Sequence, residues 1–295
     1  MDQNQPSHSR NHQLLVVIVI LIIIGVYYGW TNNRSHSGKY DSSSAYSDSY
    51  SSDSSTNTAS AYTCFSDVAY IPIIGEVYSS QDQDMTPSSS YSEAGVDSVV
   101  GSLIEAGNNP DISAVVLVID SGGGSPEATD EILEAMASIH KPIYSIIRGQ
   151  GASAAYRIAA ASNAIYAYPS SEIGSIGVTD SYLSHDKQNA DKGLQFVSLS
   201  SGPYKDTSNP DKPITDADKR LIMRDVKVLY DIFVNEIAKN RGLATSTVYT
   251  IADGSTMLGD MALQNGLIDN VGGWKALQAK LESTLNEHSD KLCTF

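Results

Sequence analysis

The stretch Ala-Val-Val-Leu-Val-Ile at 114–119 constrains this chain more than any other. A continuous apolar, β-branched run cannot alternate between a wet and a dry face, so it reads as a strand covered on both sides. It runs into Asp120-Ser121-Gly122-Gly123-Gly124-Ser125, after which Ser125, Pro126 and Glu127 supply an N-cap, a proline at the first helical position and an acid in the first turn. Strand, tight turn and a helix to about 139 make one βα unit. The same alternation recurs along the chain, with strands expected at 68–74, 143–147, 164–168 and 196–199 and helices at 93–106 and 153–162. Thr215 opens a long helix to about 241, with Asp218 at the capping-box position and Gly242 as its stop. Two further helices are expected to end the chain. Repeating βα units imply an α/β fold with right-handed crossovers, here as one domain of roughly 230 residues.

Ahead of that domain, after a short tail (1–13), residues 14–30 read LLVVIVILIIIGVYYGW without a charge. As a helix the run reaches ~25 Å, close to the hydrocarbon thickness of a bilayer. Tyr27, Tyr28 and Trp30 gather at one end, where aromatic rings favour the interface. The run exceeds a usual signal-peptide core and no A-x-A-like site follows it, so it is expected to be an uncleaved transmembrane signal anchor. Arg10 precedes it and Arg34 and Lys39 follow, so charge does not orient it. Residues 31–61 are rich in Ser, Tyr and Asp, bury too little to order themselves and read as a disordered tether; residues 62–292 are the folded domain. With 34 acidic against 19 basic residues the net charge is −15, which repels a phosphate backbone and argues against nucleic acid as a partner. Cys64 and Cys293 lack metal-ligand spacing and are read as two free thiols or as one disulfide. No metal or other cofactor is expected.

Three segments carry chemistry. The glycines at 122–124 let the backbone turn and expose N–H groups at a helix N-terminus, which suits a phosphate, an oxyanion or a plain structural turn. The phosphate reading fails, because no Lys-Ser/Thr follows and the G-x-G-x-x-G spacing is absent. Gly149-Gln-Gly-Ala-Ser-Ala-Ala-Tyr156 places Ser153 at the first turn of a helix, either as an ordinary N-cap or as a nucleophile, and the small Ala152, Ala154 and Ala155 leave room beside its hydroxyl. Ser201-Gly-Pro-Tyr-Lys-Asp206 displays Lys205, by default a surface residue. A lysine held in a dry site becomes a usable neutral base, and Ser-Lys pairs are a variant of the triad logic. His185 competes for the role of base, with Asp186 as the acid beside it.

Together these segments resemble the signal peptide peptidase A family, the Ser-Lys serine peptidases of family S49. D-S-G-G-G-S is similar to that family's D-S-P-G-G-S, G-A-S-A-A-Y to A-A-S-G-G-Y, E-I-G-S-I-G-V at 172–178 to T-G-S-I-G-V, and G-P-Y-K-D to G-x-Y-K-D. A-D-G at 252–254, Gly259, Ala262 and G-L-I-D at 266–269 match the family's closing run, so the likeness spans about 68–280. The resemblance implies Ser153 as nucleophile, Lys205 as general base, Ser175 as the group that holds the lysine amine, and the N–H groups of Gly123 and Ala154 as the oxyanion hole. It further implies a Clp protease/crotonase-like spiral β-β-α core behind a single N-terminal transmembrane helix. Members form homo-oligomers against the membrane, on its extracytoplasmic side, and degrade residual signal peptides and other membrane-proximal peptides. In this chain Gly122 replaces the family proline, Ala154-Ala155 replaces Gly-Gly, and Arg157 replaces a second tyrosine. If the family turn needs positive φ after the nucleophile, the alanines oppose it. The other readings are a Clp-type Ser-His-Asp peptidase, a crotonase-like enzyme acting on CoA thioesters and a non-catalytic membrane scaffold.

Overall fold

The computed structural model describes residues 63–79, 94–285 and 291–292. The expected anchor at 14–30, the tether at 31–61 and Cys293 lie outside the described residues. Every element below belongs to the unit Thr58–Phe295.

Strand β5 (Ala114–Ser121) is the covered strand expected from its composition, and its two faces explain that composition. Val115, Leu117 and Ile119 pack with helices α1 (Val96–Asn108), α2 (Pro126–Ser138), α3 (Ala154–Ala160) and α5 (Asp216–Arg241). Ala114, Val116 and Val118 pack on the other side, with Trp274, Leu277 and Leu281 of helix α8 (Gly273–Leu285). The sheet is therefore sandwiched between two helical layers, and each buried Val, Leu or Ile contributes roughly 1.5–3 kcal/mol. Along the sheet the order is β10 (Asn270–Val271), β7 (Ala164–Ala167), β6 (Ile143–Ala152), β5 and β2 (Val68–Ile74), with every pair parallel.

Strand β6 is longer than the expected 143–147, and this extension positions the site. Its first half pairs β7, whereas Gln150–Ala152 pairs β8 (Glu172–Gly174). Between the halves the register against β5 shifts: Ile119 faces Ile147, but Ser121 faces Gly151. Asp120 holds the irregularity, accepting from Gln150 N at 3.0 Å. A Cβ on Gly149 would stand 2.7 Å from the same carboxylate oxygen, so the shift needs glycine there. Strand β9 (Thr256–Leu258) adds to β8 antiparallel, closing a mixed sheet.

Local signals account for the helix ends. Ser125 Oγ accepts from Ala128 N at 3.2 Å at the start of α2. Helix α5 opens with a complete capping box between Thr215 and Asp218, and Gly242 closes it at φ 64°. Several expectations are corrected. Residues 196–199 form no strand; with no sheet edge beside them, Val197 and Leu199 stay exposed. Helix α1 begins at Val96, because Ala94–Gly95 (β4) pairs Val77–Tyr78 (β3). Three helices rather than two follow α5 among the described residues: α6 (Thr245–Ile251), α7 (Gly259–Gln264) and α8. Helix α4 (Asp186–Asp191), also not foreseen, buries no residue. A two-stranded pairing of β1 (Thr63–Cys64) with β11 (Lys291–Leu292) completes the element list. No described helix is long and apolar enough to cross a membrane.

Candidate active site

Strand β6 ends at Ala152 and helix α3 starts at Ala154, so Ser153 alone makes the corner between them. Its φ is 51° and its ψ −124°, a conformation that L-residues adopt only when their surroundings force it. The surroundings are specific: Ser153 N donates to Gly174 O at 2.8 Å, and Ser153 O accepts from Arg157 N at 3.0 Å. The side chain caps nothing, so Ser153 is not an ordinary N-cap. The positive φ falls on Ser153 itself, and Ala154 and Ala155 are both helical.

The glycine loop lies directly against this corner. A Cβ on Gly123, whose φ is 119°, would stand 2.8 Å from Ser153 Cβ and 3.1 Å from Ala154 N. Backbone bonds anchor the loop: Val77 N donates to Gly123 O and Ser125 N to Val77 O, both at 2.9 Å, and Gly75 N donates to Asp120 O at 3.0 Å. On Gly124 a Cβ would collide with Val77 O at 1.8 Å. Gly123 N–H donates to the buried Ser121 Oγ at 3.2 Å. Ser121 is thus a site residue that its motif did not reveal.

Ser175 is the second strained serine, at φ 49°. Its N–H donates to Ser255 O and its hydroxyl to Gly254 O, each at 2.9 Å. The A-D-G segment at 252–254, with Ser255 after it, therefore holds the turn beside Ser153. Asp253 is in turn fixed by Ser255, whose hydroxyl and N–H keep its carboxyl below the usual range. The G-L-I-D run is structural as well: Leu267 O accepts from the buried Tyr156 hydroxyl at 2.8 Å, and Asp269 pairs with Arg241 and accepts from Ile165 N.

Ser153, Ala154, Ser175 and Gly124 line a cavity of about 610 Å³, together with Tyr230 and Phe233 of α5. Arg157, Asp130 and Glu236 stand in the same cavity. A cavity lined by Ser153 together with the apolar side chains of Tyr230 and Phe233 can take a partly apolar chain whose carbonyl comes up to the serine. Among the described residues no group of His, Cys, Asp or Glu is placed to hold a metal ion.

Four of the five expected site residues thus come together at one corner; Lys205 does not. It is exposed on the turn at 201–208 and does not line the cavity. That turn is fixed by Thr207, whose hydroxyl donates to Tyr204 O, and by Asp206, whose carboxylate Ser198 and Ser200 hold below its usual range. His185 also stands outside the cavity, and its acidic neighbour is Asp211, at 3.6 Å, rather than Asp186, which bonds Ser184.

A family model described as peptidase family S49 matches residues 135–287, and one described as Clp protease matches 77–174. A protein of Enterococcus faecium with the provisional name signal peptide peptidase SppA is 35% identical over 164 residues, 55% of this chain and 48% of that protein. Protease 4 of Haemophilus influenzae is 29% identical over 203 residues, 67% of this chain and 32% of the relative. The chloroplastic serine protease SPPA of Arabidopsis thaliana is 28% identical over 163 residues, 54% of this chain and 24% of the relative. The matched stretch spans about half of the Enterococcus faecium protein and less of the other two.

Proposed function

The chain belongs to peptidase family S49, and from that premise we propose that it is a serine endopeptidase in which Ser153 is the nucleophile and Lys205 the general base. The observation that carries this reading is the Ser153 corner: a serine at φ 51°, with no capping role, at the end of a strand and facing a cavity. A sharp strand-to-helix turn is how a nucleophilic hydroxyl is presented to a carbonyl.

In the proposed mechanism neutral Lys205 Nζ takes the hydroxyl proton as Ser153 Oγ attacks the peptide carbonyl. The oxyanion is held by the N–H groups of Ala154 and Gly123, the latter exchanging its bond to Ser121 Oγ for the developing charge. The lysine ammonium then protonates the leaving amine. Water, deprotonated by the same lysine, hydrolyses the acyl-enzyme and returns Ser153 to its free form. Ser175 is assigned to orient the amine.

Lys205 lies outside the cavity of its own chain. An exposed lysine on a segment that buries little suits a base that serves a neighbouring copy, and the proposed homo-oligomer would supply that neighbour. Membrane-proximal peptides, residual signal peptides among them, are the proposed substrates. The proposed setting is the membrane itself: a spiral β-β-α core behind a single-pass anchor at 14–30, with the domain on the extracytoplasmic side.

The test is peptide hydrolysis by full-length protein. Ser153→Ala and Lys205→Ala should each abolish turnover, and mixing the two inactive variants should restore part of it where copies share sites. Substantial turnover by either variant alone would refute the mechanism. Active wild-type oligomer whose mixed variants stay inactive after subunit exchange would place the dyad within one chain.

A further inference from the structure

Arg157 is left unused by that mechanism, yet it is among the few charged residues the fold buries, with 8% of its surface exposed. It sits on α3 one turn after Ser153, and its own N–H bonds the nucleophile's carbonyl. Its guanidinium reaches two other helices. Nη2 donates to Glu236 Oε1 at 2.8 Å and Nε to Glu236 Oε2, a two-point fork onto α5. Nη2 also stands 2.7 Å from Asp130 Oδ1 on α2. Burial pulls the guanidinium pKa down, but Glu236 and Asp130 more than compensate and hold it above its ordinary value.

Helix α3 needs such an anchor. It has seven residues, Ala-Ala-Tyr-Arg-Ile-Ala-Ala, too few to be stable alone. Only Tyr156, Arg157 and Ile158 extend beyond a methyl group. Tyr156 fixes the helix to Leu267 O and Ile158 packs in the core. Among the hydrogen bonds and ion pairs of the described residues, those of Arg157 join the helix that follows Ser153 to α5, whose Tyr230 and Phe233 also line the cavity.

Resting on the reading of Ser153 as nucleophile, we propose that Arg157 is a positioning residue: its fork to Glu236, steadied by Asp130, holds Ser153 Oγ and Ala154 N–H in register with Gly123 and with the side chains of α5 that line the cavity. Geometry of this kind acts on the chemical step more than on substrate affinity, since a displacement of about 1 Å costs on the order of 100-fold in rate.

The experiment is steady-state hydrolysis of one fluorogenic peptide by full-length variants, with thermal melting alongside. Arg157→Met should lower kcat about 100-fold with KM within about threefold of wild type. Arg157→Lys, which keeps the charge and loses the planar fork, should recover about a tenth of the wild-type rate. Glu236→Gln should lower kcat about tenfold, and Arg157→Met with Glu236→Gln should be no slower than Arg157→Met alone, because the two residues act as one unit. The smallest change should come from Asp130→Asn, whose carboxylate is mostly solvated. The proposal is overturned if Arg157→Met and Glu236→Gln both keep kcat within threefold. It is also overturned if KM rises at constant kcat, which would make Arg157 a substrate contact. Should Arg157→Met not fold, Glu236→Gln and Asp130→Asn decide by the same criteria. An active Ser153→Ala variant would instead defeat the peptidase reading itself; an inactive one beside a fully active Arg157→Met defeats only this proposal.

Discussion

Between residues 114 and 178, β5, β6 and α3 bury their apolar side chains on both sides of a sheet. Between residues 180 and 215, Leu183, Leu194, Val197, Leu199 and Tyr204 are all exposed, Leu199 at 94%, and Thr207 alone is buried. The first region contains Ser153, Ser175, Gly123 and Ala154; the second contains Lys205. The proposed nucleophile and oxyanion donors are therefore placed by the core, where close packing leaves a backbone little choice. The proposed base is placed by a segment whose position its own core does not dictate. Under the proposed mechanism, that contrast separates what one copy would supply from what a neighbouring copy would supply.

The contrast breaks most sharply at the proposed nucleophile. Ser153→Ala should reduce hydrolysis by at least about 10⁴-fold with an unchanged melting temperature; retention of a tenth of the rate would show that the chemistry lies elsewhere. Gly123→Ala is next, since its Cβ would stand 2.8 Å from Ser153 Cβ. Displacing one oxyanion donor should cost about 10²–10³-fold in kcat, and a loss below tenfold would remove Gly123 from the hole.

Stability sharpens the same comparison. Ile147→Ala, in the fully buried centre of β6, should cost about 2–5 kcal/mol, read by chemical denaturation. Leu199→Ala should leave the midpoint within error, and a large loss there would mean that the 180–215 segment is buried against something in solution. Just beyond the second region, Asp218 gives a modest, pH-dependent effect. Hydrogen bonds from Thr215, with Lys212 adding to them, lower its carboxyl to about 2. A depressed folded pKa contributes stability above the unfolded value, lost as pH falls through the folded one. Asp218→Asn should thus lower the melting temperature by roughly 3 °C at pH 7 and by less as the pH approaches 2. An equal loss at both ends of that range would assign the effect to packing.

Much of the core was legible because its signals are local. The 114–119 run, the Ser125-Pro126 start of α2 and the Thr215/Asp218 box each need only a few neighbouring residues to act, and each appears where the sequence places it. Strand β6 beyond residue 147 was not legible, since Arg148-Gly-Gln-Gly is poor in strand formers and is extended by its pairing with β8 and by Asp120. Residues 196–199 have strand composition without a partner strand, and composition alone does not make one. At the site, the motifs pointed to Ser153, Ser175 and Gly123, but neither the backbone strain nor the Arg157–Glu236 fork could be read, because both depend on segments distant in sequence.

The two strained serines carry a consequence for timing. Ser153 is held by Gly174, and Ser175 by Gly254 and Ser255. During synthesis the serine at 153 emerges well before residues 254 and 255 that complete its support, so a growing chain carries the hydroxyl without the corner that aims it. The backbone corner at Ser153 thus depends on a turn whose last supports are among the later residues of the domain to be made.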